Sequence, residues 1–430
     1  MFNFILFFLI YIFFLYIQFK YEKPFPFNVS ILYSVYWFLF LFCSYLLFFQ
    51  EYSFNILSFY WILLCLILFY ISFKVTKKIY LKKSIQLSRK NQNNLSSKYY
   101  ELITNIIIIC LIIKIIGDIN FLYMNDFSFF NFFNIDDIKL MISRLIEIRY
   151  NIIEYERSFI TPLGNTLFYF SILMFGFYYH YISKKKYIIF LLILSTFLAV
   201  FVSMGKSPVI YAIIIFISGY YVHLSNENIS IIKNNKKIFI FIIGISIVMI
   251  SVLVLITLFR KGTLSGIFDT IKLYAFGSVP AFDFYFTHMI PSEFSFGHYT
   301  FGVIYKYLGI SSANPIQGVY LPIEVANLST NVFTAFRCII DDFGIYGGLL
   351  FHFILGTISG FITALINKKN SLIGYALLSI ICVYILESFV ISIATFSSIV
   401  FAYFLFFIFQ IYSVFLNNKL TKYKDIREID

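Results

Sequence analysis

The chain has 430 residues, of which 60% are hydrophobic and 13% charged, and its mean hydropathy is +0.86. An average soluble domain is about 45–50% apolar and about 25% charged, so a soluble enzyme and a disordered chain are excluded. The five cysteines follow no metal-site or disulfide-framework spacing, which excludes a secreted disulfide scaffold. The composition predicts an all-α integral membrane protein.

About eleven apolar runs (about 10–13, depending on how boundaries are drawn) are long enough, or nearly so, to cross a bilayer, which takes about 20 apolar residues. The runs are 2–19, 29–49, 54–73, 102–122, 161–182, 187–204, 208–224, 238–259, 343–366, 372–393 and 399–416. They predict a polytopic helix bundle, a single membrane domain over 1–430. Lys114 and Asp118 interrupt the fourth run at i,i+4 spacing, where opposite charges on a helix can neutralise each other.

The net charge of +12 follows membrane topology and does not form a nucleic-acid patch. Segment 74–100 is rich in Lys and Arg, and short basic loops stay in the cytoplasm. Alternation of the spans places the other short basic loops and the tail 417–430 on the same side. The predicted topology therefore has the amino terminus outside and the carboxyl terminus in the cytoplasm. The first run lacks a basic n-region and a cleavage site, so we expect a retained helix.

Two segments on the outer side are long. Segment 123–160 has mixed charge and can form an amphipathic helix over 136–157. Segment 260–342 is dense in Gly, Tyr and Pro. Loops of that length are uncommon unless they are functional. We therefore expect this large outer loop to contain short helices and to carry the catalytic region.

Arginines stand at both ends of the large loop, each beside a span. A guanidinium binds phosphate through two hydrogen bonds, so Arg260 and Arg337 are candidates for holding a lipid-linked pyrophosphate. Basic residues at helix ends also snorkel to headgroups, and this alternative suits Lys261 best. Lys206, in the tight turn SMGKSP, is either a further phosphate ligand or a turn residue.

Glycosyl transfer without a metal needs a base that takes the proton from the attacking hydroxyl. The acidic candidates on the outer side are Asp269, Asp283, Glu293, Glu324, Asp341 and Asp342. Arg337 and Asp341 share a helix face if this segment is helical, and a simple ion pair is then the alternative to catalysis. His288 and His298 can act as bases near neutral pH, but their spacing matches no metal site. Since GxxxxGK[ST] is absent, nucleotide hydrolysis is not expected.

The order of several motifs resembles one known family. These motifs are the GKS turn, RKG, LYAFGSVPAFD, GHYTFGVIYKYLG and NVFTAFRCIIDDFGIYGG. Over about 160–366 the chain resembles the oligosaccharide repeat-unit polymerases, the Wzy-type O-antigen and capsule polymerases. The resemblance implies a glycosyltransferase of the bacterial cytoplasmic (inner) membrane. Such an enzyme transfers a growing glycan from undecaprenyl pyrophosphate to a new lipid-linked repeat unit, with no metal or cofactor.

The resemblance also implies roles for individual residues. It places Arg260 and Arg337 at the diphosphates, with Lys206 where the family usually has arginine. The candidate catalytic residues are Arg260, Arg337, Asp341, Asp342 and His288. The candidate substrate-binding residues are Lys206, Lys261, Asp283, Tyr274 and Asn331. The implied partners are the lipid-linked oligosaccharide, membrane lipid, and a chain-length regulator and a flippase of the same pathway, with no nucleic acid.

Two other functions are open at this point. An O-antigen ligase shares the long outer loop and the same chemistry. A lipid-linked oligosaccharide flippase or other transporter would line its spans with cations, and these spans have none apart from Lys114. The motif order favours the polymerase.

Overall fold

The structure is a computed structural model, and it describes the greater part of the chain. The described residues are 2–22, 28–82, 97–125, 135–149, 159–203, 207–227, 267–291, 293–310, 320, 322–325, 328–369 and 371–427.

The described residues form helices almost throughout. In chain order the helices are α1 Phe2–Tyr21, α2 Val29–Phe48, α3 Ile56–Lys82, α4 Ser97–Met124, α5 Ile135–Arg149, α6 Ile160–Phe177, α7 Tyr179–Ile182, α8 Lys186–Ser203, α9 Ser207–Glu227, α10 Ile267–Phe276, α11 Ser278–His288, α12 Gly302–Tyr307, α13 Ala335–Lys369, α14 Leu372–Glu387 and α15 Ser397–Arg427. Two short strands, β1 Ile323–Val325 and β2 Leu328–Thr330, pair antiparallel with Ile323 opposite Thr330.

The predicted all-α membrane fold is confirmed. Nine of the described helices are long and apolar enough to cross a bilayer, namely α1–α4, α6, α8, α9, α13 and α15. α14 is apolar but has 16 residues, and the predicted run 238–259 lies outside the described residues. A helix satisfies its own backbone hydrogen bonds, as a lipid-exposed segment must. Large side chains such as Phe13 of α1 are exposed and contact membrane lipid (62% exposed).

The large loop contains short helices, as predicted. α10, α11 and α12 all lie between residues 260 and 342, together with the strand pair that the sequence did not indicate. In segment 123–160 the structure has helix α5, Ile135–Arg149. One face of α5 buries Met141 and Leu145 against Phe121 of α4.

The chain divides into two compact units, Met1–Lys90 with Phe268–Ser397 and Asn91–Ile267 with Ser398–Asp430. In the first unit the principal pairing is α3 against α13. A Cβ atom added at Gly356 would lie 2.3 Å from the carbonyl oxygen of Phe69, and one at Gly360 would lie 2.5 Å from that of Phe73. The pair Gly356 and Gly360 is a GxxxG motif, whose missing side chains let two helix backbones approach closely.

The second unit contains a buried ion pair in its membrane spans. The Lys114 Nζ atom lies 2.6 Å from Asp118 Oδ1 and 2.6 Å from Asn165 Oδ1. Both charged residues are at most 2% exposed. The predicted i,i+4 pairing is therefore confirmed, and Asn165 of α6 supplies a further acceptor that the spacing alone did not indicate.

Breaking this pair is expected to destabilise the protein strongly. Asp118→Ala leaves the buried Lys114 ammonium without its carboxylate, which costs about 3–5 kcal/mol of unfolding free energy. The double variant Lys114→Met/Asp118→Leu is expected to recover most of that loss, because apolar residues of similar volume replace both charges. Thermal unfolding of the purified protein in detergent measures both effects. Equal losses in the single and double variants would contradict the pairing as the cause.

Candidate functional site

The Arg337 side chain is enclosed by aromatic rings. Arg337 lies in the first turn of α13, directly after the large loop, and is 9% exposed. Its Cζ atom lies 3.7 Å from the ring centroid of Tyr320, 3.9 Å from that of Phe333 and 4.6 Å from that of Tyr285. We call these three rings the aromatic box. A guanidinium is attracted to ring faces at such distances, so the box fixes its position.

The guanidinium of Arg337 has unused hydrogen-bonding capacity. Its Nε atom lies 3.5 Å from Asp341 Oδ2, an i,i+4 ion pair of the kind the spacing allowed. Nε and Nη1 are both buried, and neither has a hydrogen-bond partner among the described residues. Buried donors without acceptors are rare because their desolvation is costly. The guanidinium can therefore donate hydrogen bonds to the oxygen atoms of an anion.

Asp341 positions this guanidinium. Its Oδ1 atom accepts a hydrogen bond from the Tyr285 hydroxyl at 2.6 Å, while Oδ2 faces Arg337. Burial, followed by the nearby Asp341 carboxylate, raises the pKa of Tyr285 above its ordinary value. Tyr285 is therefore a hydrogen-bond donor at neutral pH. Tyr320 donates to the Cys338 Sγ atom at 3.2 Å, which fixes a second ring of the aromatic box.

Asp342 anchors a loop to α13. Its Oδ1 and Oδ2 atoms accept the backbone N–H groups of Tyr299 and Thr300 at 3.0 and 2.6 Å. The backbone carbonyls of Asp341 and Asp342 accept the N–H groups of Ser295 and Phe296 at 3.0 and 3.1 Å. Because both of its carboxylate oxygens accept hydrogen bonds from backbone N–H groups, Asp342 holds this loop against α13.

The anchored loop covers a break in α13. Gly344 has φ of 72°, in the region that favours glycine. A Cβ atom there would lie 2.7 Å from the Phe294 ring, which would have to move aside. The break separates the first turns of α13, which carry Arg337 and Asp341, from the rest of the helix.

Asp283 caps the start of α3. Its carboxylate accepts hydrogen bonds from the Tyr52 hydroxyl at 3.0 Å, from the Asn55 N–H at 3.0 and 3.2 Å, and from the Ser58 hydroxyl. Burial raises the pKa of Asp283, and these hydrogen bonds oppose the shift. Since both oxygens are engaged, Asp283 serves to join α11 to the turn between α2 and α3.

His288 ends α11 and is exposed. Its Nδ1 atom lies 2.6 Å from Thr287 Oγ1 and 3.1 Å from the Phe284 carbonyl oxygen. In the tautomer that donates Nδ1–H to this carbonyl, the Nε2 atom of the neutral ring carries the lone pair. His298 packs instead against Tyr305, with ring centroids 3.9 Å apart.

The other sequence candidates are placed as follows. Tyr274 lies exposed on α10, and Asn331 lies exposed between β2 and α13. Arg260, Lys261 and Lys206 lie outside the described residues. Within the part of the chain that the structure describes, no group of three or more His, Cys, Asp or Glu residues is placed to hold a metal ion.

Sequence reasoning missed the aromatic box and one buried cation. The chain has 58 Phe and 35 Tyr residues, so nothing in the composition singles out Tyr285, Tyr320 or Phe333. Lys272 is 5% exposed, and its Nζ atom lies 2.7 Å from Glu51 Oε1. This ion pair gives Lys272 a structural explanation.

Comparisons of the chain with protein-family models, with curated proteins and with solved structures found no match.

Proposed function

We propose that this chain is a membrane glycosyltransferase that polymerises undecaprenyl-pyrophosphate-linked oligosaccharide repeat units into O-antigen or capsular polysaccharide. The observation that carries the proposal is the buried guanidinium of Arg337, whose Nη1 atom has no acceptor among the described residues and whose Nε atom has only the 3.5 Å ion-pair contact with Asp341. Arg337 lies at the start of a membrane-spanning helix, where the diphosphate of a lipid-linked sugar would lie. A planar guanidinium is well suited to such an anion.

The reaction is a substitution at the anomeric carbon of the growing glycan. A hydroxyl oxygen of the new repeat unit forms a bond to that carbon, and the bond from the carbon to the diphosphate oxygen breaks. The electron pair leaves with the lipid diphosphate, and the hydroxyl proton passes to a base. Arg337 stabilises the developing negative charge through donors fixed in advance by the aromatic box, so no protein reorganisation is needed. The resemblance implies phosphate roles for Arg260, Lys206 and Lys261 as well, which lie outside the described residues.

Within this proposal His288 is the base. Successive residues of an α-helix are about 100° apart, so His288 lies about 60° around α11 from Tyr285, which contacts Arg337. In the tautomer with the proton on Nδ1, its Nε2 atom can take the hydroxyl proton, whereas the Asp341 oxygens face Tyr285 and Arg337. Asp341 is then a positioning residue. The substrate would be handled at the outer face of the cytoplasmic membrane, with the amino terminus outside and the carboxyl terminus in the cytoplasm.

Deletion of the gene in its native host tests the proposal. We expect surface polysaccharide on a gel to lose its ladder and to collapse to a single repeat unit on the lipid core, because only polymerisation fails. Long lipid-linked polymer with no surface glycan would indicate a ligase instead. Single lipid-linked units retained on the cytoplasmic face would indicate a flippase, and either result would overturn the proposal.

A further inference from the structure

An open cleft of about 660 Å³ lies in the first unit, beside the site already described. It is bounded by the start of α1, the turn between α2 and α3, and the end of α11. The side chains that matter here are those of Asn3, Phe4, Tyr52, Asn55, Thr287 and His288. Because α1 and α3 both begin here and α2 ends here, the cleft opens where membrane spans end.

The walls of the cleft are held in place without a ligand. Asp283 ties Tyr52 and Asn55 to α11 through its carboxylate. The Phe54 ring packs against Tyr52 at 4.9 Å between centroids and against Phe4 at 6.3 Å. A site that is already formed loses little conformational entropy when it binds.

The chemistry of the lining favours a neutral, polyhydroxylated ligand. The Asn55 Oδ1 atom accepts from the Leu57 N–H, so its Nδ2 group is left to donate, and His288 offers Nε2 as an acceptor. Phe4 and Tyr52 present apolar ring surface for the C–H groups of a sugar. Among the described lining residues there is no Lys or Arg, and the Asp283 oxygens are engaged. Sugar rings fit this lining better than phosphate does.

The cleft and the aromatic box lie on opposite faces of α11. Asp283 and Thr287 line the cleft, while Tyr285, about 200° around the helix from Asp283, contacts Arg337. One helix diameter, about 10–12 Å, separates the two faces, and His288 lies between them in angle. We infer that this cleft is a saccharide site, which binds uncharged sugar rings of the oligosaccharide while the aromatic box holds its diphosphate. The inference rests on the proposed function for the identity of the glycan.

The test introduces a tryptophan side chain into the cleft. The full chain in detergent is titrated calorimetrically with soluble repeat-unit oligosaccharide, released from the surface polysaccharide of the host and free of phosphate. Ser53 is exposed and lines the cleft, so Ser53→Trp is expected to weaken binding at least about tenfold. Ser143→Trp is the matched control, because Ser143 is also exposed but lies on α5, and it is expected to bind as wild type.

Each outcome decides one proposal. Asn3→Ala removes one carboxamide from the lining of the cleft and is a milder change than the tryptophan. A loss of affinity in both variants therefore supports the site even if Ser53→Trp disturbs folding. No binding by the wild-type chain, or undiminished binding by Ser53→Trp, overturns the saccharide site. If gene deletion removes the glycan ladder while Ser53→Trp binds and polymerises normally, the polymerase proposal stands and the cleft proposal fails. If deletion leaves the ladder intact while Ser53→Trp loses binding, the cleft proposal stands and the polymerase proposal fails.

Discussion

Replacing Arg337 is expected to abolish polysaccharide polymerisation while leaving the protein inserted in the membrane. Arg337 is 9% exposed, its Nη1 atom has no hydrogen-bond acceptor among the described residues, and its Nε atom has only the ion-pair contact with Asp341. Loss of one fixed donor to a developing oxyanion typically lowers a rate about 10²–10³-fold, and loss of a guanidinium removes several donors together. We expect Arg337→Met to reduce the glycan ladder to single repeat units. Methionine fills the aromatic box, and the Asp341 carboxylate keeps its hydrogen bond from the Tyr285 hydroxyl.

A lysine at this position separates charge from geometry. Lysine keeps the positive charge but cannot form two parallel hydrogen bonds with a phosphate, so Arg337→Lys is expected to restore only short chains. The variants are expressed in the deletion strain, and the glycan ladder is compared with the amount of protein in the membrane fraction. Arg144→Ala, an exposed arginine on α5, is the matched control and is expected to restore the full ladder. A full ladder in Arg337→Met at wild-type protein levels would exclude the diphosphate contact.

Hydropathy and residue spacing predicted the helices and the contacts between residues that are close in the sequence. Apolar runs fix where membrane helices form, because lipid leaves the backbone no alternative to internal hydrogen bonds. Nine described helices of spanning length follow predicted runs. Helical spacing also predicted the two i,i+4 contacts, Lys114 with Asp118 and Arg337 with Asp341. These pairs need only that their segment is helical.

Contacts between distant segments could not be predicted in the same way. Asp283 caps a helix whose first residues precede it by more than two hundred positions, and no local spacing records that contact. From the sequence, Asp342 is a carboxylate available for catalysis. In the structure it accepts two backbone N–H groups from the loop 295–300. The aromatic box joins Tyr285, Tyr320 and Phe333 from three parts of the large loop. In a chain that is 22% aromatic, their selection depends on the fold alone.

The packing of α3 against α13 is expected to be the most sensitive structural contact in the first unit. A Cβ atom at Gly356 would lie 2.2 Å from Ser72 Oγ and 2.3 Å from the Phe69 carbonyl oxygen. The carbonyl belongs to the α3 backbone and cannot rotate away, so Gly356→Val must push the two helices apart. Overpacking of a core usually costs about 1–3 kcal/mol, and a clash with backbone is at the upper end or beyond. We expect a loss of about 3 kcal/mol or more in the free energy of unfolding.

The neighbouring position provides the control for that substitution. Ile358 is on the same turn of α13 as Gly356 and is 45% exposed. Ile358→Val therefore also introduces a valine, but at an exposed position of the helix. Thermal unfolding in detergent should show a large drop in melting temperature for Gly356→Val and little change for Ile358→Val. Because α13 also carries Arg337 and Asp341, a forced shift of this helix should displace the guanidinium and reduce the glycan ladder as well. Normal stability in Gly356→Val would mean that the two helices do not depend on backbone contact at this glycine.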